Sequence, residues 1–202
     1  MLLSKYPRLK ATLVNPDSND LLMTRTLMNA LGFANRCALY CRRVDELDIS
    51  QSYDRISSIS VIEHIPEGGD RRAVEKMWSL LKIGGRLLLS VPCAREAFQE
   101  YMDYDEYGLL AADRNGFIYS QQFYDAALLK DRIFAITGNP FRLTVFGEKE
   151  PGTFARNRAI KVSDPDYPFW REPLITVRDY RYYDSISDLP GWGVVSMEFI
   201  KR

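Results

Sequence analysis

The chain has 202 residues, 46% of them apolar and 12% aromatic, enough to bury one substantial core and too few for a second large one. Lys plus Arg and Asp plus Glu each number 27, so no net field draws the molecule to nucleic acid or to an anionic membrane surface. No apolar run approaches the roughly 20 residues that cross a bilayer, the opening MLLSKYPRLK is interrupted by Lys5, Pro7 and Arg8, and Cys37, Cys41 and Cys93 suit neither a zinc site nor a disulfide framework. The expectation is a reduced, cytoplasmic, single-domain protein spanning 1–202 that acts on a small molecule.

In chain order, Ala11 to Val14 reads as a short strand ended by Asn15-Pro16-Asp17-Ser18, where Pro16 lacks a backbone donor and the polar side chains can cap a helix. From Asp20 onward Leu21, Leu22, Met28 and Leu31 recur at helical spacing, and Gly32 stops the helix. Cys37 to Arg42 reads as a second strand. Ile56, Ile59, Val61 and Ile62, interleaved with Ser57, Ser58 and Ser60, form a third that can be buried on both faces. After Pro66-Glu67-Gly68-Gly69-Asp70, a helix aligns Val74, Met77, Trp78 and Leu81 on one face and closes at Gly84-Gly85. Arg86 to Val91 is then a strand stopped by Pro92. Strand, helix and strand within about forty residues form a βαβ unit, which demands a crossover and a parallel sheet.

Beyond Pro92 an aromatic-rich insertion covers about 94–119, with Phe98, Tyr101, Tyr104, Tyr107, Phe117 and Tyr119. It reads either as a substrate lid or as plain packing. Ser120 to Thr137 predicts an amphipathic helix ended by Gly138-Asn139-Pro140. Phe141 to Phe146 and Val194 to Ile200 read as strands suited to sheet edges. Between them a Pro-rich extension, about 150–193, holds a short candidate strand at Leu174 to Val177. Its rings Tyr167, Phe169, Trp170, Tyr180, Tyr182 and Tyr183 either cover the core or meet another subunit.

Ligands of open α/β sheets collect where parallel strands end, so Asn15-Pro16-Asp17, Arg43 to Glu46, Ser60 to His64 and Pro92-Cys93 are the places to inspect. His64 is the only histidine and follows a buried strand. Imidazole titrates near neutrality, so a general base is one reading; the other has Glu63-His64 capping the strand end and packing beneath the pocket. Arg42 and Arg43 either meet an anion or solvate a strand end, and Cys93 reads as a small buried filler.

The run Tyr53-Asp54-Arg55-Ile56-Ser57-Ser58-Ile59-Ser60-Val61-Ile62-Glu63-His64-Ile65 resembles the fourth-strand motif of class I S-adenosylmethionine-dependent methyltransferases, FDxVxSxxVLEHI. Leu80 to Pro92, LLKIGGRLLLSVP, is similar to that family's LLKPGGxLxxSxP element and falls at the matching distance. The resemblance implies a three-layer Rossmann-like α/β sandwich, a mainly parallel sheet with an antiparallel C-terminal edge, and S-adenosylmethionine as cofactor. It implies Asn15 at the ribose, Asp45 or Glu46 at the adenine, Ser60, Val61 and Glu63 lining the cofactor pocket, and His64 as the catalytic candidate.

One departure bears on activity. The family's first strand and its acidic-GxGxG loop would precede Ala11, where ten residues stand and none is glycine. A fold shortened at its N-terminus is therefore expected, with two strand edges exposed. A natural N-terminus outside this sequence, a pseudo-enzyme, and a sheet repaired by another strand or a partner all satisfy that expectation. The functions that follow are methyl transfer to a small-molecule acceptor, or a non-catalytic binding or assembly protein on the same fold; a homodimer is the partner expectation. A dehydrogenase-like enzyme would need the same glycine-rich turn, and its absence argues against one.

Overall fold

The computed structural model describes residues 2–49, 52–104 and 108–202. A short helix, α1 (Leu2–Lys5), precedes β1 (Ala11–Val14), α2 (Ser18–Ala30) and β2 (Cys37–Tyr40), and β1 and β2 pair in parallel. The Asp17 carboxylate accepts from the Asn19 N–H and caps α2, and Gly32 ends it in the left-handed region at φ 72°. Arg36 donates to the carbonyls of Leu3, Tyr6 and Pro7 and ties α1 to this unit.

The predicted βαβ unit is β3 (Tyr53–Ile59), a 3₁₀ turn at Ile62–His64, α3 (Gly69–Leu80) and β4 (Leu81–Cys93), with β3 and β4 parallel. Ala73, Val74 and Met77 of α3 bury against Leu87, Leu89 and Val91 of β4, the centre of the core. Two local expectations are corrected. Gly84-Gly85 lies inside β4 instead of closing the helix: α3 ends at Leu80, and Gly84 takes φ 77°, which only glycine adopts cheaply. Pro92 does not stop the strand either. It lies past Ser90, the last residue paired with β3, so its missing N–H breaks nothing on that side.

A hairpin of β5 (Phe98–Met102) and β6 (Ile118–Phe123) follows. Residues 120–123, the start of the expected helix, thus belong to a strand, because pairing with β5 outweighs local periodicity. The helix begins after Asp125, whose carboxylate caps it, as α4 (Ala126–Leu129), a π turn at Lys130–Phe134 and α5 (Ala135–Thr137), and Gly138 ends it. Then come β7 (Arg142–Glu148), α6 (Thr153–Ser163), α7 (Glu172–Asp179), β8 (Tyr180–Tyr183) and β9 (Gly193–Ile200). Leu174–Val177 belongs to α7, not to a strand, since Pro173 falls in the first helical turn, where proline is tolerated.

The main sheet has the order β3-β4-β9-β7-β8, parallel at β3-β4 and antiparallel from β4 onward. Neither β9 nor β7 is an edge, contrary to expectation: β9 inserts between β4 and β7, burying Val195, Met197 and Phe199 beneath the helices, and β8 forms the rim. β1 and β2 form a separate two-stranded sheet. The two sheets are linked by Tyr53 Oη donating to Thr12 Oγ1 (3.1 Å), a side-chain reach on the order of two strand spacings. Leu13 of β1 and Ile59 of β3 are exposed.

Candidate functional site

The end of β3 builds the centre of the site. Ser60 turns the chain out of the strand at φ 50°, a left-handed conformation that costs a non-glycine residue energy, while its N–H still bonds the Ser90 carbonyl (3.0 Å). The Ile62–His64 turn follows, with Ile62 and Glu63 buried. Strand β6 locks this turn from above: Tyr119 Oη donates to the Glu63 carbonyl (2.7 Å), and His64 Nδ1 lies 2.6 Å from the Ser120 carbonyl. A carbonyl only accepts, so Nδ1 carries a proton and donates it to Ser120. His64 Nε2 lies 4.0 Å from Glu63 Oε1.

Burial pushes the Glu63 carboxyl up from 4.5 to about 8, against weaker opposition from the amides of Glu63 and Val61 and from the Ser60 hydroxyl. Its Oε2 is buried and has no hydrogen-bond partner among the described residues. Beneath the turn, buried Asp70 accepts from Tyr124 Oη (2.8 Å) and Arg132 Nη1 (3.1 Å), pinning the start of α3 to the end of β6 and to the π turn. Burial, then the Asp70 charge, holds the Tyr124 phenol above its usual range.

Two cavities meet at this turn. The smaller, about 190 Å³, opens over the ends of β1 and β2 between Pro16, Arg43, Ile65 and Tyr119. The larger, about 600 Å³, lies between the ends of β7 and β9 and the cover formed by α6 and α7. His64 and Tyr104 line both. The larger cavity is walled by Phe123, Phe154 and Trp192, with the Phe123 and Trp192 centroids 4.7 Å apart and those of Phe154 and Trp192 5.6 Å apart. Glu148, fully buried, sets this wall: its carboxylate accepts from the N–H groups of Trp192 (2.8 Å), Phe154 (2.8 Å) and Gly152 (3.0 Å). Residue 191 must be glycine, since a Cβ there would collide with Glu148 Oε1.

The structure brings Ser60, Glu63 and His64 together on the larger cavity. Val61, in the same turn, is exposed, and Asn15, Asp45 and Glu46 lie apart from it. Asn15 Oδ1 accepts from the Asp17 N–H (2.9 Å) and Nδ2 donates to Asp20 (3.1 Å), so its amide serves the start of α2. Asp45 is gripped by Arg43 at 3.1 and 3.0 Å and approached by Arg72; burial pulls its carboxyl up, but the two guanidiniums outweigh this and leave it below its usual range. Glu46 is also exposed. The Cys93 thiol is pushed up to about 12 by burial and is an inert filler. In the aromatic insertion Phe98 stacks on Phe123, Tyr101 meets Tyr119 edge-on and Tyr104 reaches both cavities, while Tyr107 lies outside the described residues. Tyr180 lines the larger cavity and Tyr182 covers Phe146.

Sequence reading missed Asp70, Tyr124, Glu148 and Trp192. Only Glu148 carried a signal, an acidic residue directly after the apolar run Val145-Phe146-Gly147.

No family model and no curated protein matches the sequence. Solved structures do. The O-methyltransferase of a trans-AT polyketide synthase multienzyme of Brevibacillus brevis, in complex with S-adenosyl-L-homocysteine, superposes with a TM-score of 0.62 at 12% identity, covering 99% of this chain and 61% of that one. Coclaurine N-methyltransferase, bound to N-methylheliamine and S-adenosylhomocysteine, gives 0.60 at 15%, covering 99% and 63%. The cyclase SpnF gives 0.58 at 14%, covering 96% and 67%. The chain therefore has the class I methyltransferase fold. It spans about three fifths of the length of the two methyltransferases.

Proposed function

We propose that the chain forms the acceptor side of an S-adenosylmethionine-dependent methyltransferase acting on a small molecule. The observation that carries this reading is the position of His64, which stands at the junction of two cavities, with its tautomer set by the Ser120 carbonyl and a buried carboxyl 4.0 Å from Nε2. A two-substrate reaction needs such a junction, one cavity for each partner.

The groups at the ends of β1 to β3 fit the cofactor chemically. Asn15 and Asp45 are hydrogen-bonding groups suited to a nucleoside, and Pro16 and Ile65 offer apolar walls to a flat ring. The left-handed turn at Ser60 presents main chain beside them. When bound, the cofactor supplies a methyl group on an electrophilic sulfonium. In this reading Asn15 takes the ribose, Asp45 and Glu46 the adenine side, and Ser60, Val61 and Glu63 the wall between the two substrates. His64 orients the acceptor's nucleophilic atom and accepts its proton at Nε2, while the Ser120 carbonyl keeps the ring from turning. Alignment of the nucleophile supplies much of the rate.

A second reading, a binding or assembly module that does not use the cofactor, is favoured by one observation: the Asn15 and Asp45 side chains are already engaged by neighbours. Calorimetric titration with S-adenosylhomocysteine separates the two. Heat with an affinity in the micromolar range supports the first, and silence at millimolar ligand supports the second.

A further inference from the structure

Resting on the methyl-transfer reading, the chemistry of the larger cavity narrows the acceptor. Its wall rings are packed before any ligand arrives: Phe123 and Trp192 lie 4.7 Å apart, and Phe98, behind the wall, stacks on Phe123 with centroids 4.4 Å apart and planes 9° from parallel. Such a surface offers area with little entropy left to lose, and it suits the flat face of another ring.

The charges tell the rest. Two cations line the cavity, and each is already matched. Arg158 donates from one nitrogen to both oxygens of Glu100 at 3.1 Å, with Gln121 donating to the same carboxylate at 2.7 Å. Lys161 lies 2.9 Å from Glu172, and its ammonium sits over the Phe169 ring at 5.2 Å. Both pairs also act as mechanical ties, the first joining α6 to β5 and the second joining α6 to α7. An anionic acceptor would have to displace Glu100 or Glu172 to reach either cation. Against this stands, among the described residues, one unmet group, buried Glu63 Oε2 on the floor beside His64. An unpaired buried polar atom is costly, and a hydroxyl placed there removes that cost.

We infer that the larger cavity takes an uncharged ring compound carrying a hydroxyl group, its apolar face against Phe123 and Trp192 and its hydroxyl directed to Glu63 and His64. The ring is an aromatic one or the apolar face of a sugar; both present the same chemistry to this wall.

The test is a calorimetric titration of the chain at pH 7, without cofactor, with three probes: 2-naphthol, methyl β-glucoside and 2-naphthoate. One or both neutral probes are expected to bind at least about tenfold more tightly than the carboxylate, with Trp192→Leu lowering that affinity about tenfold or more. Tighter naphthol identifies an aromatic acceptor and tighter glucoside a sugar. Naphthoate binding as well as or better than the neutral probes, or no heat from either neutral probe at about 10 mM, overturns the inference. Since Trp192→Leu could unfold the chain, Phe154→Leu is run beside it and both are checked by thermal melting. The S-adenosylhomocysteine titration is independent of these probes, so failure of the acceptor assignment and failure of the methyl-transfer reading are told apart.

Discussion

Replacing Glu63 by glutamine tests the central electrostatic claim. In the fold burial holds this carboxyl neutral up to about 8, whereas an ordinary carboxyl ionises near 4.5. Between those values the unfolded chain has released a proton that the folded chain keeps, so stability falls by about 1.4 kcal/mol for each pH unit. The contribution is fully present below 4.5 and is lost as pH rises through about 8. From pH 5.5 to 7.5 the loss integrates to about 2.5 kcal/mol, or about 5–10 °C in Tm for a chain of this size. Glutamine has the shape of the neutral acid and cannot ionise. Urea unfolding of both proteins at the two pH values should therefore show wild type losing about 2.5 kcal/mol more than Glu63→Gln over that interval. Parallel profiles, with a difference below about 0.5 kcal/mol, would refute the picture of a desolvated carboxyl at the base of the cavity.

Three further outcomes follow from the same geometry. His64→Asn should lower methyl transfer about 10²–10⁴-fold, followed as S-adenosylhomocysteine formation with whichever neutral acceptor binds, and leave S-adenosylhomocysteine affinity within about threefold. Glu148→Ala strands three backbone N–H groups and should cost at least about 3 kcal/mol in urea unfolding while weakening neutral-probe binding, because Trp192 and Phe154 lose their anchor. Tyr124→Phe removes one of the donors holding buried Asp70 and should cost about 1–3 kcal/mol, with a matching loss of amide-exchange protection at the start of α3.

The sequence by itself determined the β3-α3-β4 unit, the β1-α2-β2 unit and the family likeness. These depend on signals a few residues apart: helical spacing in Val74 and Met77, the Asp17 cap, the glycine after α2, and a β-branched run leading into Glu63-His64. The candidate turn at Ser60 to His64 was legible for the same reason. Only the tertiary structure decided where β9 goes. Its place between β4 and β7 depends on pairing with Arg86 to Cys93, about a hundred residues earlier, and no local pattern encodes that choice. The same holds for residues 118–123, made a strand by β5, and for the split between the β1-β2 pair and the main sheet. The His64 tautomer comes from a carbonyl 56 positions away, and the acceptor cavity from α6 and α7 closing over rings that the chain scatters between Phe98 and Trp192. Caps and periodicity are local energies and can be read along the chain. Desolvation, cavity shape and strand insertion depend on which distant segments meet, and those meetings turned Glu63 from a polar residue at a strand end into a neutral acid facing a substrate-sized space.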